Sequence, residues 1–256
     1  MKEKKKDRQR NGYLAAAAGL LYAVLLALAF AGVSVWNEYK QSIIDNQKQQ
    51  MLLTAQSLAD NLEVLIEEYK ADLEALSGMA LRRTEGDGEP DWTVFQEYAG
   101  AHHAFVYDIM LENEDGEVVR SMKGHRIITI YSVSAVDSTM KLYQARLDNG
   151  EIYLILKKKT EHKNSISLVI DGQAYYQSMI SGIRLGTNGY VVVKDSKGTI
   201  LMHPAQEQWG IDVIYGRRQL YPDKDLASLE DMIDKQNQGQ EGVSEYYSYW
   251  WTEPEA

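Results

Sequence analysis

The sequence predicts an α+β protein with an N-terminal transmembrane helix, a long amphipathic stalk helix and two tandem lobes of antiparallel sheet with flanking helices. Three observations support this. Tyr13–Trp36 is apolar and uncharged, residues 37–77 contain neither Pro nor Gly, and the rest of the chain alternates β-rich runs with turn signals. The second lobe is expected to be incomplete.

The apolar run Tyr13–Trp36 contains no Asp, Glu, Lys, Arg or His. As a helix it extends about 36 Å, which is enough to cross a bilayer core of about 30 Å. Six Lys or Arg and two acidic residues precede it, so the positive-inside rule predicts a cytoplasmic tail at 1–12 and an extracytoplasmic remainder. A cleaved signal peptide ending at Ala29-Phe-Ala31 is the alternative, but the apolar run exceeds the 7–15 residues typical of such peptides.

Composition excludes several classes of function. The 256-residue chain carries a net charge of −10 despite its basic tail, and this acidic surface disfavours nucleic acid as a partner. It contains no Cys, which excludes disulfides, thiolate metal sites and thiol nucleophiles. No cofactor is predicted.

Residues 37–83 are predicted to form a stalk helix. One stripe of apolar or small residues recurs with steps of three and four: Met51, Ala55, Leu58, Leu62, Leu65, Tyr69, Leu73, Leu76 and Ala80. This near-heptad spacing favours a parallel homodimer. Alternatively, the stripe packs against its own domain. We expect both, with dimerisation in the half nearer the membrane.

The membrane-distal lobe is assigned to 84–185. After a polar loop, Asp91 is expected to cap a short helix that ends near Tyr98. A hairpin is predicted around Asn113–Gly116, and strands are predicted at 127–133, 140–147, 152–158 and 165–170, with a tight turn at Asn149-Gly150. Asp171 then opens a helix in which Tyr175, Met179 and Ile183 are expected to share a buried face.

The membrane-proximal lobe is assigned to 186–256. A second hairpin is predicted, with strands at 190–194 and 199–203. It repeats the pattern of the first hairpin, and its turn glycine, Gly198, lies 82 residues after Gly116. Asp225 is expected to cap a helix that turns Leu226, Leu229, Met232 and Ile233 inward. The aromatic run Val243–Trp251 is expected to return to strand.

The segment GYVVVKDSKGTILMHPAQEQWGIDVI resembles the Cache family of extracytoplasmic, PAS-like sensor domains. The residues that carry the resemblance are Gly189-Tyr190, Asp195, Gly198, His203-Pro204 and Gly210. The order of anchor, long helix, hairpin, strands, helix and second hairpin is similar to the double-Cache arrangement. This resemblance implies a ligand-sensing receptor, such as a histidine kinase, a chemotaxis receptor or a cyclic-nucleotide enzyme.

The sequence departs from the family pattern in two ways that affect the expected output domain and the expected ligand. Cache receptors usually continue into further strands, a second membrane helix and an output domain, whereas this sequence ends at Ala256; it is either truncated or lacks its own output. Amino-acid-binding members carry an Arg-x-Trp-Tyr cluster and a later Asp. Asp171 occupies the place of that Asp, but the cluster is missing, which disfavours amino acids as the ligand.

Four residues are candidates for contact with a small ligand, and each has a structural alternative. Asp171 is suited to pair with an amine or simply to cap a helix. His203 is suited to bind a carboxylate, to sense pH or to hydrogen-bond the neighbouring loop. Tyr190 and Trp209 are suited to line a cavity or to fill the core. Asp195 and Gly198 are expected to shape a turn.

Other motifs favour ordinary structural roles. The pair His102-His103 is not expected to bind metal, since adjacent side chains on a strand point to opposite faces. The basic residues Lys157–Lys159 and Lys163 are interpreted as a solvated edge strand. The aromatic residues 246–251 belong to the core of the incomplete lobe or form a partner site. No catalytic constellation or metal site is predicted.

The leading hypothesis is therefore the sensory input region of a membrane receptor, most simply a histidine kinase, that binds a small extracytoplasmic ligand. The alternatives are the input region of a chemotaxis receptor or diguanylate cyclase, or a membrane-tethered interaction module that binds a protein through its aromatic end. An anchored enzyme is the least favoured, because no nucleophile, base or metal set is present.

Overall fold

The computed structural model describes residues 2–82, 91–101, 105–160, 164–183, 185 and 189–246. Side chains within the helices are described except at 2–20, 23, 80–82 and 101. The chain divides into two compact units, one up to Leu53 and one from Thr54 onward. Helix α1, Lys2–Arg82, contributes to both. In the first unit apolar side chains such as Phe30 and Trp36 are exposed, and Leu52 is partly buried.

The second unit contains an antiparallel sheet of six strands in the order β2-β1-β6-β5-β4-β3. The strands are β1 Val106–Glu112, β2 Val118–Ser121, β3 Ile127–Ala135, β4 Met140–Leu147, β5 Ile152–Lys159 and β6 Ser165–Ile170. Helix α2, Trp92–Ala101, precedes them, with the Asp91 carboxylate accepting a hydrogen bond from Thr93 N as predicted. The predicted α+β class with an antiparallel sheet and flanking helices is confirmed.

The main core lies between one face of the sheet and the helices. Leu73 and Leu76 of α1 and Phe95 of α2 are almost completely buried against Leu156 and Leu168 of the central strands. The predicted stripe on α1 accounts for this packing, since its members from Leu58 to Leu76 are buried or partly buried in the same core. In this half of the stalk the stripe therefore packs against its own domain.

The helix predicted after Asp171 is shorter and differently wound. Helix α3 covers only Gly172–Tyr175 and continues into a π-helical turn, Tyr176–Ile180. Because a π turn inserts one extra residue, the inward face shifts by one position. Tyr176 and Ile180 are buried, whereas Met179 is 55% exposed, so its predicted inward position was wrong.

The C-terminal region combines a two-stranded sheet with two helices: β7 Val193–Lys194, β8 Ile200–Met202, α4 Val213–Leu220 and α5 Ala227–Asn237. The second predicted hairpin is confirmed, but its strands are shorter. Asp225 accepts from Ala227 N at the start of α5, and Leu226, Leu229 and Ile233 are buried. Residues 243–246 belong to no strand, contrary to prediction; the rest of the predicted aromatic strand lies outside the described residues.

In the part of the chain that the structure describes, none of the helices contains a stretch both long enough and apolar enough to span a bilayer. The predicted span begins at Tyr13, and the side chains of residues 13–20 lie outside the described part. The membrane span remains a prediction from the sequence.

Candidate ligand site

Where β6 ends, the residue that follows Asp171 faces Trp209. The Asp171 carboxylate caps α3 by accepting a hydrogen bond from Ala174 N at 2.8 Å. A Cβ built at the neighbouring Gly172 would be in van der Waals contact with the Trp209 indole, 3.4 Å from two ring atoms. Trp209 is buried. The predicted capping role of Asp171 is confirmed, whereas the packing of Trp209 opposite Gly172 was not predicted.

Tyr190 and His203 form the adjoining part of the cluster. Their rings meet edge to face with centroids 5.0 Å apart. The carbonyl oxygen of His203 accepts a hydrogen bond from Trp209 Nε1 at 2.9 Å. Contacts thus join the predicted candidates Trp209, His203 and Tyr190, while the predicted candidate Asp171 directly precedes Gly172, which faces Trp209. We call these four residues the ligand cluster.

The hydrogen bonds of His203 define its tautomer. Nδ1 lies 3.0 Å from Ala205 N, whose N–H can only donate, and 3.2 Å from Ala205 O. Ala205 N–H therefore donates to Nδ1. Burial lowers the pKa of the imidazole below its ordinary value, so the neutral ring carries its proton on Nε2.

Arg217 acts electrostatically on two residues of the ligand cluster and was not singled out from the sequence. It is in α4, whose N-cap Asp212 accepts a hydrogen bond from Tyr215 N. Burial raises the pKa of Tyr190 and lowers that of His203, and in both groups the positive charge of Arg217 acts to lower the pKa. No sequence signal marked this residue, because α4 was not predicted.

Asp195 does more than shape its turn. It accepts from Lys197 N and Thr199 N at 2.8 Å each, and the Ser132 hydroxyl of β3 donates to its other oxygen. Burial alone would raise the pKa of Asp195, but these hydrogen bonds hold it below its ordinary value. The β7–β8 hairpin is therefore fixed to the six-stranded sheet by a buried carboxylate.

Other motif residues explain how the hairpin is positioned. A Cβ at Gly189 would lie 2.0 Å from Leu185 O, and one at Gly210 (φ +79°) would lie 2.7 Å from the Tyr131 ring. Both positions therefore require glycine. Gly198 also has a positive φ, of 94°, at the hairpin turn, and Pro204 is exposed.

The prediction that Lys157–Lys159 belong to an edge strand was wrong. β5 lies between β4 and β6, so it is not an edge strand. Lys157 pairs with the buried Glu112 on one face of the sheet, while Lys158 pairs with Glu74 of α1 at 3.6 Å on the other. Lys163 and the pair His102-His103 lie outside the described residues, and the described residues contain no group suited to hold a metal ion.

An open groove of about 590 Å³ runs along one side of α1 and is lined mainly by acidic side chains (Asp60, Glu63, Val64, Glu67, Glu68 and Ala71). It contains no member of the ligand cluster. Because all its lining residues come from a single helix and are exposed, it is a surface furrow rather than an enclosed cavity.

Comparison with known families gives one match. Residues 139–256 match the model of the family described as Single Cache domain 2. The match begins next to β4 and includes the whole ligand cluster. No curated protein and no solved structure matches significantly.

The match supports a Cache-type extracytoplasmic sensor domain in this part of the chain, in agreement with the motifs of the sequence. The matched span also crosses the predicted lobe boundary between residues 185 and 186, and the division into two lobes remains a prediction.

Proposed function

We propose that this chain is the extracytoplasmic, ligand-sensing input region of a membrane-anchored receptor, most simply a sensor histidine kinase. One observation carries the proposal: the Cache match contains all four residues predicted to contact a ligand, and three of them, Trp209, His203 and Tyr190, are in contact in the fold. The match concerns the input domain only, and the histidine kinase output is proposed.

The ligand binds at the ligand cluster, between the end of β6 and the segment that follows β8. Trp209 supplies a buried wall, and Tyr190, which is 40% exposed, lies at the mouth of the site. Small-molecule sites typically combine such aromatic walls with a few polar groups. His203 and Asp171 supply the polar groups here.

The ligand shifts the domain from one arrangement to another because it binds the second arrangement more tightly. The contacts that support this route run from the ligand cluster through the sheet to α1, where Leu73 and Leu76 pack in the same core as Trp209. A shift of about 1–2 Å at such a packed helix is the usual size of a signalling displacement.

The membrane anchor and the parallel homodimer are part of the proposal. The anchor is supported by the apolar sequence 13–36 and its basic flank. The homodimer is supported by exposed apolar residues of α1 between 37 and 53, including Tyr39, Ile43, Ile44 and Leu53. Since the stripe beyond Leu58 packs on its own domain, dimerisation is assigned to the earlier segment.

Calorimetry of the full chain in detergent against a library of small metabolites tests the proposal. We expect at least one compound to bind, with affinity reduced at least tenfold in His203→Ala and retained in Asp234→Asn, an exposed residue of α5. A folded protein that binds nothing in the library would contradict the proposal.

An interaction module without a small ligand is the second candidate. It is favoured by exposed side chains near the C-terminal region, among them Tyr215, Leu220 and Tyr246. A pull-down lost on substitution of Tyr246, together with silent calorimetry, would support this candidate instead.

A further inference from the structure

The C-terminal end of α5 is bonded both to the β7–β8 hairpin and to α1. On the hairpin side, Lys194 Nζ donates a hydrogen bond to Asn237 Oδ1 at 2.8 Å. On the α1 side, Gln56 Nε2 donates to Glu241 Oε2 at 2.7 Å. Only three residues separate Asn237 from Glu241, so a short stretch of chain connects the hairpin to α1.

Helix α5 is packed tightly enough on the hairpin to move with it. Leu229 and Ile233 on its inner face are buried. A Cβ built at Gly198, in the hairpin turn, would be in van der Waals contact with Ile233, 3.5 Å from its Cγ2. Close-packed interiors have low compressibility and therefore transmit a displacement. A movement of the hairpin is thus passed to α5.

The chain leaves α5 in a fixed direction. Gln240 N donates to Lys235 O and Gly239 N donates to Gln236 O, each at 3.0 Å. Together with the positive φ of 73° at Gly239, these two bonds form a Schellman motif, a common C-terminal cap of helices. Glycine adopts this φ without steric cost. Because Glu241 is the next residue after the motif, the orientation of α5 determines where its carboxylate lies.

Gln56 lies at the end of the domain that is nearer the predicted membrane span. Leu58, two residues later, is buried in the main core, and Leu53, three residues earlier, ends the segment assigned to dimerisation. Leu73 of the core lies 17 residues after Gln56, which is about 25 Å along the helix. The Gln56–Glu241 contact is one exposed hydrogen bond, and such contacts open at low free energy.

We propose that α5 and residues 238–241 form a latch that couples the β7–β8 hairpin to α1 at Gln56. The Lys194–Asn237 bond sets the position of α5, and the Schellman motif sets the position of Glu241. A movement of the hairpin then opens or closes the Gln56–Glu241 contact beside the segment assigned to dimerisation. The coupling itself is a property of the fold, whereas its use as a second signalling route to α1 rests on the proposed function.

Cross-linking measures the closure of the latch. Because the chain contains no Cys, Gln56→Cys combined with Glu241→Cys introduces a single thiol pair. A disulfide needs Cβ atoms about 3.8 Å apart, and two long side chains meet here, so a short bis-maleimide is used instead. We expect it to join the two thiols within one chain of the full-length protein in detergent. A folded protein whose thiols react with a mono-maleimide but are never cross-linked would overturn the proposal.

Lys194→Met in this background tests the hairpin end of the latch. It removes the bond to Asn237, and the loss of a hydrogen bond from a charged group is expected to lower the cross-linking rate at least about threefold. Lys197→Met is the control, because it removes the same charge from an exposed position of the same hairpin. Equal rates in the two variants would contradict coupling through Lys194.

Gly239→Ala tests the exit from α5. Ala is strained at a φ of 73°, so the Schellman motif shifts Glu241 and we expect the cross-linking rate to fall. Gly116→Ala is the control, since Gly116 has a similar φ of 82° and open space around it in the β1–β2 turn. An equal fall in both variants would contradict the latch and indicate a general loss of stability.

The cross-linking needs no ligand, which separates the latch from the proposed function. If both latch variants lower the rate and no metabolite binds to the folded chain, the latch stands and ligand sensing fails. If metabolites bind but both latch variants cross-link as fast as their controls, the latch fails and ligand sensing stands.

Discussion

The six-stranded sheet and the C-terminal region are built in opposite ways. Every strand of the sheet except β2 has six or more residues, and its central side chains, such as Leu156 and Leu168, are fully buried. By contrast β7 and β8 have two and three residues. The C-terminal region depends on specific polar contacts, notably Ser132 to Asp195 and Gln144 to the carbonyls of Ile200 and Leu201.

The ligand cluster lies where the six-stranded sheet meets the C-terminal region, whose short strands are weakly paired. Asp171 and Gly172 follow β6 directly, whereas Tyr190, His203 and Trp209 belong to the segment around the short hairpin. Regions with few backbone pairs open at lower free energy than sheet cores. A ligand that bridges the two therefore acts on the part of the molecule that moves most easily.

The largest expected effect on stability concerns two neighbouring lysines of β5, Lys157 and Lys158. Lys157→Met leaves the buried Glu112 without its counter-charge, and we expect the free energy of unfolding to fall by about 3 kcal/mol. Lys158→Met is the control, because its partner Glu74 is exposed and the expected loss is about 0.5 kcal/mol. Urea unfolding of the detergent-solubilised chain measures both; equal losses would contradict the burial of the Lys157–Glu112 pair.

The second effect tests the π turn that joins the two regions. Ile180→Ala removes a side chain that is 1% exposed, and we expect a loss of about 3 kcal/mol in the free energy of unfolding. Met179→Ala changes a residue that is 55% exposed, so the expected loss is below about 0.5 kcal/mol. A larger effect at Met179 in the same unfolding assay would restore the regular α-helix predicted from the sequence.

The third effect concerns the polar contact that fixes the hairpin. Asp195→Asn weakens the hydrogen bonds to Ser132, Lys197 N and Thr199 N, and we expect a loss of about 1–2 kcal/mol at neutral pH. Asp223→Asn, at an exposed position, is the control.

The pH dependence of this loss has a defined sign. Because the folded-state pKa of Asp195 lies below its ordinary value, its stabilisation is present above the unfolded pKa of about 3.9. It is lost as the pH falls through the folded pKa. The stability difference between wild type and Asp195→Asn should therefore shrink below about pH 4, and a difference that grows on acidification would contradict the assignment.

The strands of the sheet could be predicted because their sequences carry the pattern that the fold uses. Met140–Leu147 and Ser165–Ile170 have the predicted bounds, and Gly150 adopts the positive φ of 89° that its turn requires. The order of the strands in the sheet cannot be read from the local sequence, so the interior position of β5 was not predicted. Lysines on a strand satisfy an edge position and a paired interior position equally well.

The site could be predicted only as a set of separate candidates. Asp171 was recognisable as a cap, but its proximity to Trp209 depends on how the C-terminal region docks on the sheet. Helix α4 has only eight residues and a glycine, Gly216, in its centre, so neither its formation nor the position of Arg217 was evident. The π turn likewise has no sequence signal that distinguishes it from a regular helix.

Hydrogen exchange of the full chain, with and without a ligand identified by calorimetry, tests ligand sensing at this junction most directly. The account predicts that ligand slows exchange in 171–183 and 200–212, while the central strands β5 and β6 remain unchanged. Protection confined to residues before Leu53, or no protection in either segment at saturating ligand, would contradict it.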